Sequence, residues 1–271
     1  MITTLLYGQR KTMKPNKFLP DKSIALLLDP DKATGDTLHN ALKTAKESKT
    51  DYIFAGGSLT FSGIDNLIDE IRKLCSFPVV LFPGNLLQLT LKADVILLLS
   101  LISGRNPELL IGNHVIAAPH LKNVRDKLLS VGYILISCGK KTSVEYISHT
   151  EAIPCDKTEI AVATAMAGEM LGLQMIYLEA GSGAINPVPG NLVKAVRQNI
   201  SIPLAVGGGI KTSLQVEEIF AAGADLIILG NGCEKNPELL IEACIIRDKF
   251  RKNQKSINLK ARKAGSKNSK Y

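Results

Sequence analysis

Eight short runs of almost uninterrupted apolar residues recur along the chain: "SIALLLDPD", "DYIFAGG", "FPVVLFPGN", "DVILLLSLISG", "GYILISCGK", "MIYLEAGSG", "IPLAVGGGI" and "DLIILGNG". A strand with one wet face alternates apolar and polar residues, whereas a parallel strand covered on both faces has no need to. Between most of the runs lie segments with apolar residues at helical spacing, namely "TLHNALKTAKES", "IDNLIDEIRKLC", "NVRDKLLSVG", "TEIAVATAMAGEMLG", "GNLVKAVRQNI" and "SLQVEEIFAAGA". Strand and helix in eightfold alternation predict an α/β chain folded as a (β/α)8 TIM barrel, with a doubly wound open sheet as the alternative.

One connection breaks the rhythm. Between "VVLFPGN" and "DVILLL" stands only "LLQLTLKA", too short for a barrel helix with its two loops. The outer wall is expected to be thin after strand 3, leaving Leu86, Leu87, Leu89 and Leu91 beside a groove suited to a long hydrocarbon. A shortened turn packed over by neighbouring helices is the other reading.

Composition narrows this picture. At 271 residues and 45% hydrophobic content, the chain can bury one large core. The formal charge of +8 is local: residues 247–271 hold ten basic side chains and one acid, which leaves residues 1–246 near −1. Residues 1–246 are therefore read as a single barrel domain and 247–271 as a basic, flexible tail. Beyond its first turn or two the tail is expected to be solvated, with a peripheral contact to anionic lipid or RNA as its other use. The five cysteines form no CxxC pair, so neither a zinc site nor a disulfide framework is indicated, and a reducing cytoplasm is the expected location. No apolar run reaches the length of a bilayer span, and the start lacks signal-peptide architecture.

In a barrel of this kind the chemistry sits where strands end. Strand 7 closes in "VGGGI" and strand 8 in "LGNG", each before a helix start, which is the common arrangement for binding phosphate. Strand 1 closes in "LLLDPDK". Pro30 holds Asp29 in an extended conformation, so its carboxylate is free to face the barrel mouth. Asp29 with the hydroxyl of Ser58, in "AGGS" after strand 2, would suffice for Mg2+, which takes few protein oxygens and completes its shell with water and phosphate. Capping of the next helix is the competing role for Asp29. Strand 6 closes in "IYLEAGSGA", where Glu179 stands among small residues and could accept a proton from a substrate hydroxyl. Tyr177, two residues earlier, points the same way; the alternative for Glu179 is a carboxylate satisfied by the backbone of "AGSG". His39, His114, His120 and His149 show no metal spacing and are read as structural or surface residues.

Taken in order, "LLDPDK", "AGGS", "YLEAGSGA", "VGGGI" and "GN" resemble the geranylgeranylglyceryl phosphate synthase family, related to heptaprenylglyceryl phosphate synthase. The resemblance implies a Mg2+-dependent prenyltransferase that joins a polyprenyl diphosphate to the 3-hydroxyl of sn-glycerol 1-phosphate and releases diphosphate. By position, Asp29 and Ser58 resemble the metal ligands. Tyr177, Leu178, Glu179, Ala180, Gly181, Ser182 and Gly183 resemble the glycerol phosphate site, together with Gly208, Gly209, Gly230 and Asn231. Glu179 resembles the residue that takes the proton, and Lys32 is a candidate for the leaving diphosphate. A homo-oligomer is expected, and no nucleic-acid role. Some relatives carry a lysine where this chain has Leu27, which points to the geranylgeranyl branch; tryptophan, absent here, cannot set the depth of a prenyl groove. Another phosphate-binding barrel, for a phosphosugar or a flavin phosphate, and a nucleic-acid-binding protein acting through the basic tail are the rival readings.

Overall fold

The computed structural model describes residues 22–267, with side chains described through 254 and at Ser256. The first 21 residues of the expected barrel domain and the last four of the expected tail lie outside the described residues.

Eight parallel strands close into a barrel: β1 (Ser23–Leu28), β2 (Tyr52–Ala55), β3 (Val79–Leu81), β4 (Val95–Leu101), β5 (Leu128–Ser137), β6 (Met175–Glu179), β7 (Leu204–Gly207) and β8 (Leu226–Leu229). Each pairs with the next in sequence, and β8 returns to β1 through Ala25 opposite Ile228. A two-residue strand, Ile153–Pro154, adds to the outer edge of β5. The expected barrel is present, and its continuous apolar strands have the anticipated cause. One set of side chains, including Phe54, Leu97, Tyr133 and Tyr177, fills the barrel, while the alternate set, including Ile53, Ile96, Ile134 and Leu178, packs under the helices.

The outer layer contains α1 (Gly35–Ser48), α2 (Ile64–Leu74), α3 (Asn113–Leu121), α4 (Ser143–Ser148), α5 (Thr158–Met170), α6 (Gly190–Asn199), α7 (Ser213–Ala221), α8 (Asn231–Lys235) and α9 (Glu238–Lys267). Between β3 and β4 there is only the 3-10 turn Leu86–Gln88, as the short connection requires. The turn is fixed by polar contacts in place of helix packing. Asn85 accepts from the N–H of Leu87, and buried Gln88 accepts from the N–H of Gly84 while donating to the carbonyl of Gly57.

Two expectations need correction. The segment "NVRDKLLSVG" was expected to be helical, but β5 begins at Leu128, because the seven-residue β4 pairs with it from Ile96 opposite Leu128 to Leu101 opposite Tyr133. The helix lies earlier, at α3, whose apolar sequence "NHVIAAPHL" shows little face preference and contains Pro119. The second correction concerns residue 247. The expected tail is not separate from the domain there, since α9 runs through that position and Arg247 is 2% exposed. Arg247 pairs with Asp51 at 2.7 Å and donates to the carbonyl of Lys49, and Arg251 reaches the other oxygen of Asp51 at 2.8 Å. These partners precede β2, at the amino-terminal end of the barrel. The helix therefore leaves the barrel opposite the mouth, and its last 16 residues extend about 24 Å at 1.5 Å per residue. Among the described residues no helix is long and apolar enough to cross a membrane.

Candidate active site

The carboxyl ends of the strands surround a mouth of about 1680 Å3, lined by the loops after β1, β2, β6, β7 and β8. Strand β6 presents Tyr177 and Glu179 to it, two residues apart on the inward face. Leu178 and Ala180 point the other way into the packing beneath the helices, so of the expected glycerol phosphate residues these two bring no side chain to the mouth. Ala180 contributes through its backbone, donating to the carbonyl of Gly207 at 3.0 Å.

Glu179 is 6% exposed, and its Oε1 accepts from the N–H of Gly181 at 2.6 Å. Burial raises its pKa, while hydrogen bonds from the Tyr177 hydroxyl and from Gly181 oppose the rise by favouring the ionised form. Burial, followed by the charge of Glu179, holds Tyr177 well above the usual phenol range, so this side chain stays a donor. The Tyr177 hydroxyl is thus aimed at the carboxylate. Tyr133, opposite Tyr177 in the β5–β6 register, stacks edge-on at 5.3 Å, and Phe82 lies 5.6 Å from Tyr177. Together they make an aromatic floor under the carboxylate.

The glycines after β7 have a cause that the sequence conceals. A Cβ on Gly207 would lie 2.3 Å from the Tyr177 hydroxyl, and one on Gly208 2.3 Å from Glu179 Oε1. The space a side chain would need is already filled by the two polar residues of β6. Gly208 and Gly209 also adopt positive φ, 81° and 67°, which turns the chain across the mouth. Gly232 approaches the carbonyl of Ile210 so closely that its own Cβ would stand 2.4 Å away, which joins the loops after β7 and β8. The N–H groups of Ser182, Gly183, Gly209 and Ile210 find no protein acceptor among the described residues, and the first three of these residues line the mouth with Ile210. Such a cluster of unpaired donors has the chemistry to receive an oxyanion. The start of α7 contributes less than expected, because Thr212 and Gln215 cap it reciprocally. Helix α8 has five residues. Lys211 and Lys235 add positive charge at the rim.

Asp29 and Ser58 both line the mouth across from this cradle. Asp29 Oδ1 accepts from the N–H of Asp31 at 3.0 Å, and Oδ2 faces the open side of Gly57. Asp29 does not cap α1, whose cap residue is Thr34. Asp31 turns away to accept from the N–H groups of Phe61 and Ser62, which hold its carboxyl below the usual range. Among the described residues no group of three or more His, Cys, Asp or Glu side chains could hold a metal. The Asp29 carboxylate and the Ser58 hydroxyl are hard oxygens facing one mouth, a donor set that fits Mg2+, which keeps several waters and shares substrate oxygens.

An apolar groove of about 1000 Å3 continues from the mouth, sharing Gly57, Ser58, Phe82, Tyr133 and Val144 with it. Leu86 and Leu89 line it as expected, whereas Leu87 is 96% exposed and Leu91 also points to solvent. Helix α3 closes the far wall with His114, Ala117 and Leu121. His114, expected to be structural or superficial, is a groove residue whose pKa burial pushes down. Sequence reading also missed Tyr133 and Glu234. The signal for Tyr133 was its place on an inward strand position; Glu234, three residues after Asn231, carried none.

Residues 17–247 match the PcrB family. The curated geranylgeranylglyceryl phosphate synthase of Spirosoma linguale is 48% identical over 229 residues, 84% of this chain and 92% of that protein. The synthase of the same description from Chitinophaga pinensis is 46% identical over 222 residues, 82% and 88% of the two chains. The crystal structure of (S)-3-O-geranylgeranylglyceryl phosphate synthase from Thermoplasma acidophilum, in complex with its substrate sn-glycerol-1-phosphate, is similar at a TM-score of 0.78 and 30% identity, with 83% of this chain and 93% of that one covered.

Proposed function

The chain belongs to the PcrB family and is a prenyltransferase of the geranylgeranylglyceryl phosphate synthase type, and we propose that Glu179 is the base that takes the proton as its ether bond forms. The observation that carries this assignment is the position of the Glu179 carboxylate. It lies on an aromatic floor beside a cradle of unpaired N–H groups, in a mouth that opens into a groove whose lining is mostly apolar, as a prenyl chain requires.

The cradle at Ser182, Gly183, Gly209 and Ile210, with Gly230 and Asn231 from the β8 loop, binds the phosphate of sn-glycerol 1-phosphate. That anchorage places the 3-hydroxyl at Glu179, which Tyr177 and Gly181 orient and whose ionised form their hydrogen bonds favour against the effect of burial. The groove binds the prenyl tail and leaves its diphosphate at Asp29 and Ser58. These two residues would hold Mg2+, which when bound neutralises charge growing on the leaving group. The allylic C1–O bond breaks with its electron pair going to diphosphate. The glycerol oxygen bonds to C1 as its proton passes to Glu179. Phe82, Tyr133 and Tyr177 enclose the reacting carbon and limit its capture by water. Fixing two substrates in this way is worth roughly 7–11 kcal/mol, so much of the catalysis is placement.

The test is a competition assay read by mass spectrometry, with sn-glycerol 1-phosphate, Mg2+ and prenyl diphosphates of several lengths supplied together. The expected main product is the geranylgeranyl ether, lost on chelation and restored by Mg2+. Ether formation at full rate in chelator would reject the metal role of Asp29 and Ser58.

A further inference from the structure

The ammonium of Lys32, in the loop after β1, does not stand free for a diphosphate. It donates to Asn231 Oδ1 at 3.1 Å and lies 3.4 Å from Glu234 Oε2, both in the segment after β8. On its other side Asn231 donates from Nδ2 to Ser182 Oγ at 3.1 Å, in the loop after β6. Three loops from three separate strands are thus joined by one line of hydrogen bonds across the mouth.

The line has a direction that follows from chemistry alone. A lysine ammonium can only donate, so the amide atom it meets must be the oxygen. That fixes the amide orientation and turns its NH2 toward Ser182. The serine oxygen then accepts, and its own proton points elsewhere. Ser182 stands at the exposed lip of the phosphate cradle, next to Gly183, so the remaining direction leads into the mouth. Were the amide reversed, Asn231 would present its oxygen to Ser182, the hydroxyl proton would be spent on Asn231, and a lone pair would face the phosphate.

We propose that Lys32 is a positioning residue that, held by Glu234, sets the hydrogen-bond direction through Asn231 so that the Ser182 hydroxyl donates to the substrate phosphate. The proposal rests on the phosphate cradle assigned above and gives Lys32 a different part from leaving-group stabilisation. Because Lys32 and Glu234 are 48% and 33% exposed in their side chains, solvent screens the pair, and its effect is that of an ordinary hydrogen bond and not of a buried charge.

The test is steady-state kinetics on the full chain with both substrates, plus calorimetric binding of sn-glycerol 1-phosphate, for Lys32→Met, Lys32→Arg, Ser182→Ala and the double variant Lys32→Met with Ser182→Ala. Lys32→Met should raise KM and Kd for glycerol phosphate about 3- to 10-fold, with kcat and the KM for prenyl diphosphate changed less than about twofold. Lys32→Arg, which still only donates, should recover most of the loss. In the Ser182→Ala background Lys32→Met should add less than about twofold, since the two act in series. A Lys32→Met defect in kcat or in prenyl diphosphate KM would overturn the proposal, as would a full additive effect in the double variant. If Ser182→Ala itself leaves glycerol phosphate binding unchanged, the place of Ser182 in the cradle fails, and this inference with it.

Discussion

Replacing Gly208 by alanine tests whether catalysis depends on where the Glu179 carboxylate sits. The added methyl would stand 2.3 Å from Glu179 Oε1, 2.7 Å from the nitrogen of Gly181 and 3.0 Å from that of Ala180. Two of these neighbours are backbone nitrogens, of which Ala180 is held by its hydrogen bond to Gly207, while Gly181 N–H would lose its bond to the displaced carboxylate. The carboxylate, at the end of a side chain, is the part that can give. Ordinary contact lies near 3.5 Å, so it must move by about 1 Å. A displacement of that size at a reacting group is worth about 100-fold in rate. Alanine at φ 81° adds about 1–2 kcal/mol of backbone strain, and the crowding about 1–3 kcal/mol more. The expected variant is therefore folded, about 2–5 kcal/mol less stable in urea titration, and about 100-fold lower in kcat at saturating substrates. A variant destabilised by that amount but turning over at the parental rate would refute the reasoning, because Glu179 would have moved without consequence.

Tyr177→Phe removes a donor that favours ionised Glu179, whose pKa burial already raises, so the base stays protonated to higher pH. The acid limb of the kcat–pH profile should move up and activity should recover as pH rises; an unmoved limb would separate Glu179 from the profile. Arg247→Ala strips a buried guanidinium from Asp51 and the Lys49 carbonyl, and should lower stability by about 3 kcal/mol in urea titration with kcat unchanged, since the cluster lies at the far end of the barrel. Ala117→Phe fills the groove wall on α3, and product analysis should show shorter prenyl chains preferred; an unaltered length profile would place the chain elsewhere.

The barrel was legible because parallel strands buried on both faces leave uninterrupted apolar runs, and the groove because a seam too short for a helix can be counted. Asp29, Ser58, Glu179 and the paired glycine loops were legible as residues that end strands. What a linear reading misses is direction. Tyr177 was visible as an inward neighbour of Glu179, but only the packing against Gly207 shows that its hydroxyl serves the carboxylate. Gly207 and Gly208 looked like a phosphate loop, yet their Cβ positions are closed by Tyr177 and Glu179. Arg247 counted as one more positive charge in a basic tail, because its partner Asp51 lies 196 residues away. The helix α3 was hidden for a related reason: with apolar residues on most sides, it leaves no periodic trace.

The most direct test of the account is the single-turnover rate of Glu179→Gln with saturating sn-glycerol 1-phosphate and geranylgeranyl diphosphate, alongside calorimetric binding of the glycerol phosphate. Glutamine keeps the shape and cannot take the proton, so ether formation should fall by about 100-fold or more while glycerol phosphate still binds. Parental turnover in a folded Glu179→Gln protein would contradict the assignment of Glu179 as the base.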